Sequence, residues 1–170
     1  MFWSYQFAVP HLISIAASIL LLISAHAVPR VARALYMVLF AWACATNWRV
    51  VLDRPSVYME YGDLSIVRLY RDFILGFFAV HVLPIVGAIA TCQGLIAAGL
   101  IAGGQAARIA LMGAAVFLIA IAPLGVGSAF PATVIMAVGA LRLRSSADAL
   151  SQDLVSNTIR AVRARRTRMA

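Results

Sequence analysis

The chain of 170 residues is 64% hydrophobic and only 12% charged, with a mean hydropathy of +0.95. A soluble domain carries charge on roughly a quarter of its residues, so this composition excludes an ordinary soluble fold and predicts a polytopic membrane protein built as one helical bundle. All fourteen basic residues are Arg and the net charge is +8; without Lys, the chain cannot form a Schiff base or a P-loop.

The first two predicted spans are joined by a short basic connection. The first covers residues 7–28, and no basic residue precedes its apolar run as one would in a signal peptide. Arg30 and Arg33 follow next to the helix-breaking Pro29, and the second span covers residues 34–48. Because short loops join antiparallel neighbours, we expect these helices to pack side by side.

Residues 49–72 form the one long polar interruption, in which four Arg and four acidic residues are interspersed with three Tyr and directly follow Trp48. Aromatic residues of this kind prefer the headgroup region, so we expect a loop at the membrane interface. The third span, residues 73–104, would be about 48 Å long as a helix, against a hydrocarbon core of about 30 Å. It must therefore tilt, kink or protrude, and Pro84 is the expected site of a kink.

The fourth span, residues 109–141, is interrupted from Pro123 to Pro131 by two Pro and two Gly. The chain then either continues as a kinked helix or turns back across the membrane. A kinked helix would leave eleven Arg on one side of the membrane and three on the other, whereas a turn would leave ten and four. The positive-inside rule places the C-terminus in the cytoplasm either way and barely separates the two arrangements. We predict an all-α transmembrane bundle of four spans with the fourth broken, and a short fifth span as the alternative.

The chain divides into a transmembrane bundle, residues 1–141, and a basic cytoplasmic tail, residues 142–170. Apolar residues at helical spacing in the tail predict an amphipathic helix that lies on anionic lipid. The tail has no aromatic residue, so nucleic acid is not an expected partner. The predicted lipid-surface residues are Arg160, Arg163, Arg165, Arg166 and Arg168.

Polar residues inside apolar spans are the candidate ligand-binding residues, because lipid penalises them and they usually face the bundle interior. No pair of acids lies within an apolar run and no Cys/His spacing fits a metal site, so no catalytic or metal-binding residue is predicted. The broken fourth span contributes candidates because unwound backbone at membrane depth is tolerated only against protein or a cavity. The candidates are His11, Ser14, Ser18, His81, Gln93, Pro123, Gly125, Gly127, Ser128 and Pro131.

The sequence QGLIAAGLIAGGQAARIALMGAAVFLIAIA, from Gln93 to Ala122, resembles the second half of the DoxX-like family of small four-helix membrane proteins. In that family a glycine-rich helix ends in a G-x-x-x-R turn, matched here by Gly104 and Arg108, and an Ala-rich helix follows. The family often has an acid near the position of Gln93. The resemblance implies a compact four-helix bundle, in some members a membrane partner of redox enzymes, and implies no catalytic residue.

We expect a small multi-pass protein of the inner membrane without catalysis of its own. It would be a subunit of a membrane complex or would bind a lipid or quinone between its helices, with membrane lipids and a membrane protein or a second copy as partners. One alternative is a redox subunit with haem b held by His11 or His26 together with His81, since imidazole is a good axial ligand. Another is a small-solute carrier or half-channel built around residues 123–131. The cofactor is otherwise unknown.

Overall fold

A computed structural model describes residues 5–146 of the chain. The described residues are almost entirely helical and contain no strand, which confirms the predicted all-α class. Four helical stretches are long and apolar enough to cross a membrane, so the chain is a multi-pass membrane protein. These stretches are Ala8–Ala27, Pro29–Asp53, Val82–Ala102 and Gly104–Ser128.

Seven α-helices lie within residues 5–146, and the last of them continues to the end of that range. They are α1 (Tyr5–Ala27), α2 (Pro29–Asp53), α3 (Glu60–Leu64), α4 (Arg68–Phe73), α5 (Val82–Ala102), α6 (Gly104–Ile121) and α7 (132–146).

Helix α2 is longer than the predicted second span and includes the first charged residues of the expected loop. It ends at Asp53, and Arg49 pairs with Asp53 across one turn at 3.7 Å. Both side chains are exposed, so an α-helix that ends at the membrane interface accommodates them without burying charge.

The third apolar run is divided by a bend at His81, three residues before the expected kink at Pro84. Pro84 lies in the first turn of α5, where a missing backbone N–H removes no helical hydrogen bond. The residues before the bend do not extend the span. They belong to residues 55–81, here called the capping segment, which contains α3, α4, a 3-10 turn (Pro55–Met59) and a π-helical turn (Ile74–Phe78).

Helix α5 lies between α2 and α6, and small residues allow both neighbours to approach it closely. A Cβ atom at Gly94 would lie 3.0 Å from Sγ of Cys44 on α2. A Cβ atom at Gly99 would lie 2.9 Å from Cβ of Ala110 on α6. Such contacts are typical of helix packing in membranes, where dispersion replaces the hydrophobic effect as the driving force.

The chain reverses direction between α6 and α7. The Tyr36 hydroxyl on α2 donates a hydrogen bond to the Met136 carbonyl, and Gly139 packs against Tyr36 and against Leu22 of α1. Ala140 and Leu143 are buried in the same core as the last turns of α1. A kinked continuation of α6 would leave the bundle, so the interruption at Pro123 to Pro131 is a turn, after which α7 runs antiparallel to α6.

This reversal gives the bundle two distinct ends. The capped side holds the capping segment and the turn 122–131, and its four Arg balance four acids. Two of its ion pairs have i, i+4 spacing, Arg49–Asp53 and Arg68–Asp72, and a third joins Arg71 to Asp63 at 3.4 Å. The opposite end, here called the arginine side, has no acid among the described residues. Its basic residues are Arg30, Arg33, Arg108, Arg142 and Arg144.

Replacement of Gly139 by Ala tests the packing of α7. Its Cβ would lie 2.6 Å from the Tyr36 hydroxyl oxygen, so we expect Gly139→Ala to lower the free energy of unfolding by about 1–3 kcal/mol. Gly113→Ala on α6 is the matched control, because its Cβ meets Ile96 at an ordinary 3.6 Å. Denaturant unfolding in detergent micelles measures both.

Tyr36→Phe removes the obstructing hydroxyl and should restore part of the stability that Gly139→Ala loses. As a single change, the same substitution should destabilise the protein because the hydrogen bond to Met136 is lost. Strictly additive effects in the double variant would contradict the proposed contact.

Candidate functional site

A cavity of about 580 Å³ lies in the capped half of the bundle. Helices α2, α5 and α6 and the first turn of α7 form its sides, and the capping segment covers it. Its volume falls within the range of roughly 300–1,000 Å³ that is typical of small-molecule sites.

The wall of this cavity is mainly aromatic and aliphatic. Phe40 of α2 and Phe117 of α6 contact each other edge to face, with ring centroids 6.0 Å apart. Tyr58 and Phe78 of the capping segment make a similar contact at 6.5 Å. Such a wall favours an apolar ligand over a hydrated solute.

Three side chains in the wall form one hydrogen-bonded network. The Asn47 amide of α2 donates to Oε1 of Gln93 on α5 at 2.8 Å. The Tyr58 hydroxyl of the capping segment donates to Oδ1 of Asn47 at 2.9 Å. The network joins α2, α5 and the cover of the cavity, and it places polar groups where the surrounding wall is apolar.

Thr133, in the first turn of α7, adds a further polar group to the wall, outside this network. Its side chain is 3% exposed, and its Oγ1 makes no hydrogen bond within residues 5–146. A buried hydroxyl without a partner costs about 1–3 kcal/mol. The Thr133 hydroxyl therefore lowers the stability of the ligand-free protein.

The described residues that line the cavity include no Asp, Glu, Arg or His. Burial raises the pKa of Tyr58 above its ordinary value, and the neighbouring Tyr61 raises it further. Burial, followed by the charge of Glu60, likewise raises the pKa of Tyr61. The cavity wall is consequently uncharged at neutral pH, and no cluster of three metal-binding side chains occurs among the residues searched.

The structure brings three of the sequence-predicted residues to this cavity, namely Gln93, Gly127 and Ser128. The Ser128 hydroxyl donates to the Gly125 carbonyl at 3.0 Å. A Cβ atom at Gly127 would lie 2.5 Å from the Tyr61 ring, so this glycine allows the capping segment to approach the turn.

Pro123, Gly125 and Pro131 shape the turn itself. The Pro123 carbonyl accepts a hydrogen bond from the Ile66 amide at 3.0 Å. Gly125 has φ +65°, and a Cβ atom there would lie 2.7 Å from the Leu64 carbonyl oxygen. Pro131 follows a cis peptide bond.

The remaining candidates lie apart from the cavity. The Ser14 and Ser18 hydroxyls donate to backbone carbonyls of α1, and His11 of the same helix does not line the cavity. His81 is exposed on the capped side, where its ring stacks on Phe77 with centroids 4.3 Å apart. His26 is also exposed, at the end of α1 on the arginine side.

The predicted lipid-surface residues, Arg160 to Arg168, lie outside the described residues.

Sequence reasoning missed Asn47, Tyr58 and Thr133. Asn47 falls inside the predicted second span, so the rule that singled out Gln93 would also have identified it. Thr133 lies two residues after the second Pro of the break, and it too is a polar residue inside a predicted apolar span. Tyr58 is one of several loop aromatics, and nothing in its local sequence distinguishes it.

No protein-family model, curated protein or solved structure matches this chain. The resemblance of residues 93–122 to the DoxX-like family stays a prediction.

Alkaline titration tests the buried state of Tyr61. Because its pKa is raised in the folded state, the unfolded chain loses this proton first, and the residue's contribution to stability falls as pH rises above about 10. We expect the thermal midpoint in detergent to fall less between pH 9 and 11 in Tyr61→Phe than in the wild type. The chain has no Lys to obscure the effect. If the thermal midpoint fell equally with pH in the wild type and in Tyr61→Phe, that result would contradict a raised pKa of Tyr61.

Proposed function

We propose that this protein binds a neutral lipophilic molecule, a quinone or a lipid, in the cavity of its capped half. The single observation that carries the proposal is an apolar cavity of ligand size that holds one uncharged polar cluster. The apolar part of the ligand would pack on the Phe40 and Phe117 rings. Its polar head would lie near Gln93, where the wall supplies hydrogen-bonding groups.

Access from the surrounding lipid supports a ligand of this kind. Trp42 of α2 lines the cavity and is also 65% exposed on the outer surface of the bundle. Phe73 of the capping segment lines it too and is 46% exposed. A molecule dissolved in the bilayer can therefore enter sideways, without crossing the aqueous phase.

The chemistry of the wall favours binding over catalysis. Its polar side chains are amides, phenols and hydroxyls, and no ionised base or nucleophile lies among the described residues that line it. General acid–base catalysis needs a group that exchanges protons near the working pH. Under this proposal, the protein binds its ligand without converting it chemically.

Charge distribution supports one orientation in the membrane. The positive-inside rule counts Arg and Lys rather than net charge, and the arginine side, together with the tail that follows it in sequence, carries ten Arg against four on the capped side. We therefore propose that the arginine side, and with it the C-terminus, faces the cytoplasm at an inner membrane, with residue 5 on the opposite face.

Filling the cavity tests ligand binding. We expect Ala43→Phe to expel the ligand, because Ala43 lines the cavity, so that lipophilic molecules seen by mass spectrometry of the purified wild type disappear. Ala45→Phe, two residues away on the exposed face of α2, should retain them. The proposal would be contradicted if the same lipophilic molecules co-purified with both variants, or if none co-purified with the wild type.

Cysteine labelling tests the orientation. In a variant with Cys44 and Cys92 replaced by Ser, single cysteines at Ser65 on the capped side and Gln105 on the arginine side should differ in accessibility. In intact cells, a membrane-impermeant maleimide should label the residue-65 cysteine only. Labelling of the residue-105 cysteine alone would reverse the proposed orientation.

A further inference from the structure

Among residues 5–146, Thr133 is a helical residue whose buried hydroxyl has no hydrogen-bond partner. Ser14, Ser24 and Thr91 each donate to the carbonyl four residues earlier, at 2.8–2.9 Å. This local bond satisfies a hydroxyl in an apolar setting. Thr133 makes no such bond, although its Oγ1 is buried.

The turn before α7 explains why the local bond is missing. The residue four positions earlier is Ala129, which has the left-handed conformation with φ 60°. Its carbonyl instead accepts the backbone N–H of Ala132 at 2.8 Å. The reversal thus leaves Thr133 in the cavity wall with an unused hydrogen-bonding group.

The neighbouring network favours a ligand that accepts hydrogen bonds. The Gln93 side-chain oxygen already accepts the Asn47 amide, so the remaining capacity of Gln93 is mainly its two N–H donors. The Tyr58 hydroxyl proton is used by Asn47. Gln93 therefore has donors left at the cavity wall, Thr133 lines the same cavity with an unused hydroxyl, and no charged side chain among the described lining residues offers a stronger partner.

We propose that Thr133 recognises a carbonyl oxygen on the head of a neutral amphiphile, by donating its hydroxyl proton to that oxygen. This inference rests on the proposed function and names the ligand chemistry. Quinones and the ester groups of uncharged glycerolipids both carry such a carbonyl. The ligand's hydrogen bond would remove the cost that the unpartnered hydroxyl imposes on the empty protein.

Thr133→Val tests the inference because it removes the hydroxyl and keeps the shape of the side chain. Three probes share a ten-carbon chain or longer: a decyl-substituted benzoquinone, a diacylglycerol, and decylbenzene, which has no carbonyl. The ligand-concentration dependence of the thermal midpoint in detergent gives their apparent Kd values. We expect the variant to bind at least one carbonyl probe about three- to tenfold more weakly, and decylbenzene unchanged.

The ligand-free Thr133→Val variant provides a second measurement, in which stability should increase although ligand binding becomes weaker. Because the substitution removes a buried hydroxyl without a partner, Thr133→Val should raise the thermal midpoint of the ligand-free protein. Thr91→Val is the matched control, since the Thr91 hydroxyl bonds to the Gly87 carbonyl and lies outside the cavity. It should not raise the midpoint and should leave all three apparent Kd values unchanged.

The possible outcomes separate the inference from the proposed function. Weaker binding of the benzoquinone alone identifies a quinone, and weaker binding of the diacylglycerol alone identifies a lipid ester. An equal effect on decylbenzene, unchanged binding of both carbonyl probes, or a lowered midpoint of the empty variant would overturn the role of Thr133. A wild type that binds none of the probes would overturn the proposed function as well.

Discussion

The contact between the capping segment and the turn after α6 is the interaction on which the rest of the structure depends. At the end of α6 the helix unwinds, and unwound backbone in a membrane protein must find its hydrogen bonds inside the protein. The Ile66 amide donates to the Pro123 carbonyl at 3.0 Å, and the Tyr70 hydroxyl donates to the Ala120 carbonyl at 2.8 Å. Gly125 allows this approach because a side chain there would occupy the position of the Leu64 carbonyl.

The same contact creates both the cavity and its unusual hydroxyl. The capping segment covers the capped half of the bundle with large rings that span the space between α2 and α6 without filling it. On the other half, small residues such as Gly99 and Ala110 allow α5 and α6 to approach each other closely. One half of the bundle is thus packed for stability, while the other keeps a space that a ligand of suitable shape can fill.

Hydrophobic runs predicted the spans because length and apolar composition are local properties of the sequence. Because Arg counts of eleven and three or ten and four barely differ, the prediction was four spans with the fourth broken, and the alternative was the reversal at residues 123–131. It depends on distant contacts, such as that of Tyr36 with Met136, which no local pattern reports. The intramembrane-polarity rule likewise identified Gln93, but Tyr58, which joins the same network through Asn47, belongs to a loop whose fold the sequence does not reveal.

The absence of ionised groups from the described cavity wall also bears on the forces that act across a membrane. A transmembrane potential of 100 mV acts on a full elementary charge with about 2.3 kcal/mol, and it exerts no comparable force on an uncharged site holding an uncharged molecule. Occupancy of this cavity would then follow the amount of ligand dissolved in the bilayer and would be insensitive to voltage. Under the proposed function, occupancy would therefore report the composition of the membrane rather than the electrical potential across it.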